Sequence, residues 1–381
     1  MKVGLGVRPV GQRWLLLPWA MALVFALGAC SSDKPKPTPL ETYSPALAAR
    51  QIWSARVDSV KFPLGIVARD GLFVVAGSDG AVVALQADTG RELWRGQAGK
   101  TLSAGVGSDG RFAAVIGNDN TLIVLDRGKP LWTAALASRT ATAPLVAGER
   151  VFVVGVDRVV HAFDAIDGRR LWRFQRNLEP LTLAHPAVLA AYKDTLLVGQ
   201  GAVLIGLDPT KGTVRSEVAL TPPRGTNEVE RLNDLVGPLL RVGDAVCARA
   251  FQTGLGCVDM SRNTLRWTRN GGGVQALGGD AELVFGADSS DRVTAWRAAN
   301  GELVWTHDRL IHRALSAPLA LPKAMVIGDL EGYVHLLSRD EGRTLQRLAT
   351  DGSAVVAPPV LSGNTFLVAT RNGGLFAFAV E

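Results

Sequence analysis

Cysteine is scarce in this chain. The 381 residues hold only Cys30, Cys247 and Cys257. Histidine is nearly as rare, and the five, at 161, 185, 307, 312 and 335, fall into no zinc-ligand spacing. His161 and His335 occupy the same strand position in two repeats and read as architectural, while His307 and His312 share a loop that lacks a metal-binding carboxylate motif. No Gly-x-Ser-x-Gly elbow is present. Gly254-Leu255-Gly256 and Gly271-Gly272-Gly273 lack the strand–helix setting that gives glycine-rich loops a phosphate-binding meaning. Long segments of helical period are missing too, which excludes a helical solenoid. Nor is there a stripe of Lys and Arg of the kind nucleic acid demands. The net charge of +6 falls to +3 once Lys2, Arg8 and Arg13 are set aside. These absences leave no catalytic constellation and imply no cofactor and no metal.

The three basic residues belong to the N-terminus. They precede an apolar run, Trp14 to Leu27, that is too short to span a bilayer comfortably, since about 20 residues are needed. The run reads as the core of a secretory signal peptide over residues 1–29. It ends in Leu27-Gly28-Ala29-Cys30, which resembles a bacterial lipobox. The resemblance implies cleavage before Cys30, a diacylglycerol on its thiol and an acyl chain such as palmitate on its amine. Ser31, where Asp would signal retention at the inner membrane, points to the outer one. Alternating prolines at 35, 37 and 39 then force an extended chain, so residues 30–49 are expected to form a flexible tether. Export also makes a disulfide between Cys247 and Cys257 conceivable. The two flank a hairpin turn at Gln252-Thr253. A two-residue loop would point the thiols to opposite faces, and a three-residue loop would set them opposite each other.

From residue 50 onward the chain repeats itself with a period near 40. The clearest copy runs from Val159 through Phe163-Asp164, turns at Asp167-Gly168 and reopens at Leu171-Trp172. Asp bonds its own backbone in such turns and Gly supplies the positive φ. Equivalent positions fall at 53, 94, 132, 172, 215, 267, 305 and 346, six of them Trp, with Arg215 and Gln346 as the exceptions. Each unit holds about four short strand signals; in the third they are 144–146, 151–155, 159–164 and 170–174. Four strands at this period define a propeller blade, which cannot bury both faces alone and must stack around a closed ring. The predicted fold is therefore all-β: an eight-bladed β-propeller over residues 50–381. The lone strand 51–57 and the unpartnered strand 375–380 are expected to pair and close it, removing two exposed edges.

In such blades the connections between second and third strands share a face with those linking one blade to the next. Two of the latter are unusual. One, after Trp172, contains Leu181 and Leu183 before Pro186. The other, after Arg215, is about ten residues longer than its equivalents and contains Glu228, Arg231, Leu232 and Asp234 before Pro238. They follow successive blades and so must be neighbours, with an apolar centre and a charged rim suited to a protein partner.

Lipobox, proline tether and eight blades together resemble the BamB family of outer-membrane protein assembly factors. The most specific stretches are Thr226 to Asp234, Leu310 to Leu315 and Gly328 to Tyr333. That resemblance implies a non-enzymatic scaffold of the BAM complex, facing the periplasm. It would dock onto the POTRA domains of BamA and aid insertion of nascent outer-membrane β-barrel proteins. Leu181, Leu183 and Asp234 match the family's docking residues. Where the family carries Arg and a second Asp, this chain has Ala184 and Val236, so those two charge pairs cannot form. A second resemblance is to eight-bladed quinoprotein dehydrogenases, through the Ala-x-Asp-x-x-Thr-Gly-x-x-x-Trp motif. It would imply pyrroloquinoline quinone and calcium. Those enzymes have longer chains and often adjacent cysteines, neither of which is found here.

Overall fold

Eight four-stranded antiparallel sheets account for all 32 strands of the computed structural model, which describes residues 1–4, 6, 35–176, 182–222 and 232–380. The sheets follow one another along the chain as the blades of a propeller. In blade 1 the strands, from the inner edge outward, are Val67–Arg69, Leu72–Ala76, Ala81–Gln86 and Glu92–Gln97. The middle two are apolar almost without interruption and buried nearly throughout, because both their faces pack on neighbouring blades. The outer strand is largely exposed, and its polar residues mark it as the rim. Connections between second and third strands, and those from one blade to the next, lie on what we call the loop face. The tight Asx-Gly turns lie on the opposite, turn face.

The tryptophans hold the ring together in a specific way. In each of blades 1 to 7 the pairing of third and outer strands slips by one residue at the same point, as between Ala84↔Trp94 and Leu85↔Glu92. The skipped residue is the Leu or Val before the Trp position in most blades. In blades 1 and 2 it is exposed, as Leu93 and Leu131 are. A bulge re-aims the next side chain, and here it lays the indole over the turn of the following blade. Trp132 Nε1 donates to the carbonyl of Ala165 at 2.9 Å, and Trp267 Nε1 donates to that of Ala298 at 2.9 Å. The turn glycine lies flat under the ring: a Cβ on Gly168 would come within 2.6 Å of Trp132. Gly168 also has φ of 73°, so it meets both a steric and a conformational demand.

Both exceptions in the repeat now have a reason. Blade 8 is made from the two ends of the chain and has no Asx-Gly turn between its third and outer strands. Gln346 of blade 7 therefore meets a chain start instead: its side-chain amide donates to the carbonyl of Ala49 and accepts from the Ala49 N–H, each at 2.7 Å. In blade 4 the register corrects the sequence assignment by one residue. Ser216 stands opposite Gly206 where most other blades carry Trp, and Arg215 is the skipped residue, pairing within its own blade with Asp194 and Asp208. The following turn, in blade 5, has Asn263, φ 53°, in place of glycine.

Closure occurs as expected from the two ends. Ala49–Arg56 pairs antiparallel with Gly374–Val380, from Ala49↔Val380 to Arg56↔Gly374. The tether, however, is shorter than expected. Residues 38–48 are fastened to blade 7 and its approach loop. Thr38 bonds Ile311, Glu41 accepts from Thr344, the Tyr43 hydroxyl accepts from the Arg347 N–H, and Leu40 and Leu47 enter core clusters. The prolines predicted an extended chain, and an extended chain is also what can lie along a blade edge. Cys30 and the lipobox lie outside the described residues.

The hairpin in blade 5 joins Ala245–Ala250 to Gly254–Asp259 by a three-residue loop, which places Cys247 directly opposite Cys257, and the two form a disulfide.

Four histidines, His161, His185, His307 and His335, are held below their ordinary pKa chiefly by burial. The unfolded chain, with histidines near ~6.5, therefore binds protons at a pH where the folded ring does not. Stability is full above that value and is lost as pH falls below it. We expect the melting temperature to drop between pH 7.5 and pH 5; a constant value over that interval would show these histidines to be uncoupled from folding.

Candidate functional site: the loop-face junction around Asp234

The two unusual blade-to-blade connections do meet, and Asp234 joins them. It stands immediately before the inner strand of blade 5, Leu235–Val242, whose first residues are anchored by Leu235 N–H to the carbonyl of Gly201. From there its carboxylate reaches across to the connection ahead of blade 4. Oδ2 accepts from the backbone N–H of Leu183 at 3.2 Å, and Oδ1 accepts from the Arg158 guanidinium at 2.8 Å. Both side chains of that ion pair are mostly buried, at 15% and 19% exposure.

Arg158 comes from a third blade. It occupies the turn between Arg150–Val154 and Val160–Asp164, with φ of 62°, and its carbonyl accepts from the Gln200 amide at 2.8 Å. Thr182 completes the fastening by donating its hydroxyl to the carbonyl of Val156 at 2.9 Å. Further in, the Ala187 N–H donates to Thr142 Oγ1, and Ala187 bridges Val236. Blades 3, 4 and 5 are thus stitched together by one carboxylate, one guanidinium and a few backbone groups. Leu183 is half-buried in the result, and Ala184 stands exposed beside it.

Below Leu183 only a small cavity of about 40 Å³ remains, lined by Arg158, His185 and Asp234 among others. Burial holds the His185 imidazole below its ordinary pKa, with its bond to Pro186 opposing the shift. Beside the loop the face opens into a hollow of about 690 Å³, whose walls include Phe62, Asn118, Arg139, Thr182 and Ala184. Such a concave surface beside a braced loop can receive a protein partner. Among the described residues no group of three or more His, Cys, Asp or Glu is placed to hold a metal ion.

Of the candidates from sequence, the fold brings together Leu183 and Asp234, with Leu232 two residues before the latter and half-buried. Leu181, Glu228 and Arg231 lie outside the described residues. Arg158, Thr182 and Gln200 were not singled out from the sequence. Their signal was topological: Arg158 and Gln200 lie at connections between second and third strands, which share the loop face with the two long connections. The departures from the family pattern also differ in kind. Ala184 is exposed and leaves room for a longer side chain, whereas Val236 is 1% exposed, deep in the sheet.

Eight four-stranded blades closed by the two chain ends, with a braced loop junction on one face, define the class of eight-bladed β-propellers. The family model for the outer membrane protein assembly factor BamB matches residues 50–307. The BamB of Burkholderia pseudomallei is 37% identical over 366 residues, covering 94% of this chain and 96% of that protein. The BamB of Bordetella pertussis is 34% identical over 372 residues, with the same coverage of each. Among solved structures, BamB from Moraxella catarrhalis superposes with a TM-score of 0.78 at 23% identity, over 87% of this chain and all of that one. The quinohemoprotein alcohol dehydrogenase of Comamonas testosteroni shares the fold, with a TM-score of 0.67 at 14% identity over 87% and 76% of the two chains. This chain belongs to the BamB family of outer membrane protein assembly factors.

Proposed function

We propose that the protein is a non-enzymatic scaffold lipoprotein of the β-barrel assembly machinery. In this reading it is anchored in the outer membrane by lipid on Cys30, with its ring in the periplasm. It docks onto the POTRA domains of BamA and aids delivery of nascent barrel proteins for insertion. The observation that carries the docking surface is the junction itself: Asp234 and Arg158 hold the Leu183 loop at the rim of the loop-face hollow. A rigid loop loses little entropy when a partner covers it. Asp234 then acts mainly as a positioning residue, since both carboxylate oxygens already have partners within the chain.

The dehydrogenase reading gains only a shared fold. Its adjacent-cysteine feature has no counterpart, because Cys247 and Cys257 are joined across the hairpin of blade 5.

The test is a pull-down of the tagged full-length protein from envelope membranes, with identification of what it retains. BamA is the expected partner. Recovery of the other machinery components without BamA would overturn the docking assignment, and recovery of none would overturn the scaffold reading as a whole.

A further inference from the structure

Two stretches singled out in the sequence, Leu310 to Leu315 and Gly328 to Tyr333, play no part in the junction around Asp234. They lie on the loop face at blade 7, where they build a second buried polar cluster. Asp329 is fully buried, and its Oδ1 accepts from the N–H groups of Glu331 and Tyr333 at 2.9 Å each, which shapes the turn. Its Oδ2 is shared by Arg313 Nε at 2.7 Å and His335 Nε2 at 2.9 Å. Arg313, 2% exposed, also reaches Glu331. One of its donors is left over from these carboxylates, and it is aimed at the N-terminal segment: Nη1 donates to the carbonyl of Thr38 at 2.9 Å.

Thr38 is held from the other side as well. Its N–H and its hydroxyl both donate to the carbonyl of Ile311, at 3.0 and 2.9 Å. A buried, charge-assisted bond of this kind is among the stronger neutral-backbone contacts a protein makes. The chain then descends the outside of blade 7. Leu40 packs with the cluster of Trp305, Leu310 and Leu337. The Arg347 guanidinium lies 5.1 Å over the Tyr43 ring, and Ala46 N–H donates to the carbonyl of Leu345. At Ala49 it enters blade 8 opposite Val380, on the turn face.

The consequence is directional. Without residues 38–48 fastened, the N-terminal segment would leave the ring at Ala49, on the turn face. With them fastened it leaves at Thr38, on the loop face. We propose that the Arg313–Asp329–Glu331 cluster is a clamp that selects this exit, so that an anchor on Cys30 holds the loop face, with the Asp234 junction, toward the membrane surface. Cys30 precedes Thr38 by eight residues, a reach of at most about 28 Å in an extended chain. The inference rests on the lipidation proposed above.

The experiment uses the full-length lipoprotein in vesicles of phosphatidylethanolamine and phosphatidylglycerol that carry an acceptor dye on the lipid headgroup. A donor dye is placed on the loop face through Asn372→Cys or on the turn face through Asp88→Cys. Cys247 and Cys257 are already joined, so each protein offers one added thiol. Energy transfer is expected to be greater from position 372 than from position 88. That difference is expected to be lost in Thr38→Pro, which removes two of the clamp bonds without touching any ring strand, and in Arg313→Gln. Equal transfer from the two faces overturns the proposal, as does an undiminished difference in Thr38→Pro, whatever the stability of Arg313→Gln. The mass of the N-terminal peptide reports separately on lipid at Cys30. Should that thiol prove bare, the anchoring role falls with the lipidation reading. Deuterium uptake over residues 38–46 then decides the clamp alone: slow uptake that turns fast in Thr38→Pro upholds it, and fast uptake in the parent overturns it.

Discussion

Removing residues 49–56 will lower the melting temperature of the ring by at least about 10 °C, whereas removing residues 31–36 will leave it unchanged. The first deletion takes away the outer strand of blade 8, which pairs with Gly374–Val380 along its length. It also removes Trp53, whose indole donates to the carbonyl of Ala87 at 2.9 Å and covers Gly90 and Phe73 of blade 1. The ring loses a ladder, an inter-blade staple and one of its two protected edges at once. Burial of a large aromatic and its neighbours contributes about 3 kcal/mol and each lost hydrogen bond about 1. In a domain of this size each kcal/mol is worth roughly 2 °C or more, so several such losses reach the stated shift. Deleting residues 37–48 should fall between the two, since that segment contributes Leu40 and Leu47 to the core but no strand. Thermal melts of the three truncations check the order. Equal values for the deletions of 31–36 and 49–56 would refute velcro-like closure by the two termini.

The second large effect concerns the docking loop. Leu181→Asp with Leu183→Asp is expected to abolish co-purification with BamA while lowering the melting temperature by no more than about 4 °C, since Leu183 is only half-buried and lies in a connection outside the ring strands. A carboxylate placed in an apolar contact must be desolvated without a partner, and that penalty of several kcal/mol exceeds what a few rim contacts return. Asp234→Ala tests the bracing separately. It frees the Leu183 N–H and leaves Arg158 without its counter-charge. Because the leucines remain, affinity should fall by about tenfold, or 1.4 kcal/mol, rather than vanish. Undiminished co-purification of the leucine variant would move the docking surface to another face. An Asp234→Ala loss as complete as that of the leucine pair would show that the carboxylate touches the partner itself.

Much of this fold is written locally. A strand of alternating or continuous apolar residues, an Asx-Gly turn and a Leu-Trp pair recur near every 40 residues, and each element depends on neighbours a few positions away. Counting them gives eight blades, and the odd strand at each end requires closure. Less of the junction was legible. The neighbouring positions of Leu183 and Asp234 followed from topology, but Arg158 did not. Its pairing with Asp234 spans 76 residues, and nothing in its surroundings distinguishes it from other turn arginines.

By itself, then, the chain determined the repeat, the number of blades, the Trp positions and the face on which the long connections meet. These are properties of short-range spacing, and spacing is visible in one dimension. Only the tertiary structure decided the rest. It chose the three-residue hairpin that joins Cys247 to Cys257, because a register differs by one residue and the sequence admits two. It turned the carboxylate of Asp234 inward to hold Leu183. It shortened the expected tether by fastening Thr38 to Ile311 and Arg313, and it set Gln346 against Ala49 where a tryptophan had no turn to cover. Each of these contacts joins groups brought together only when the ring closes.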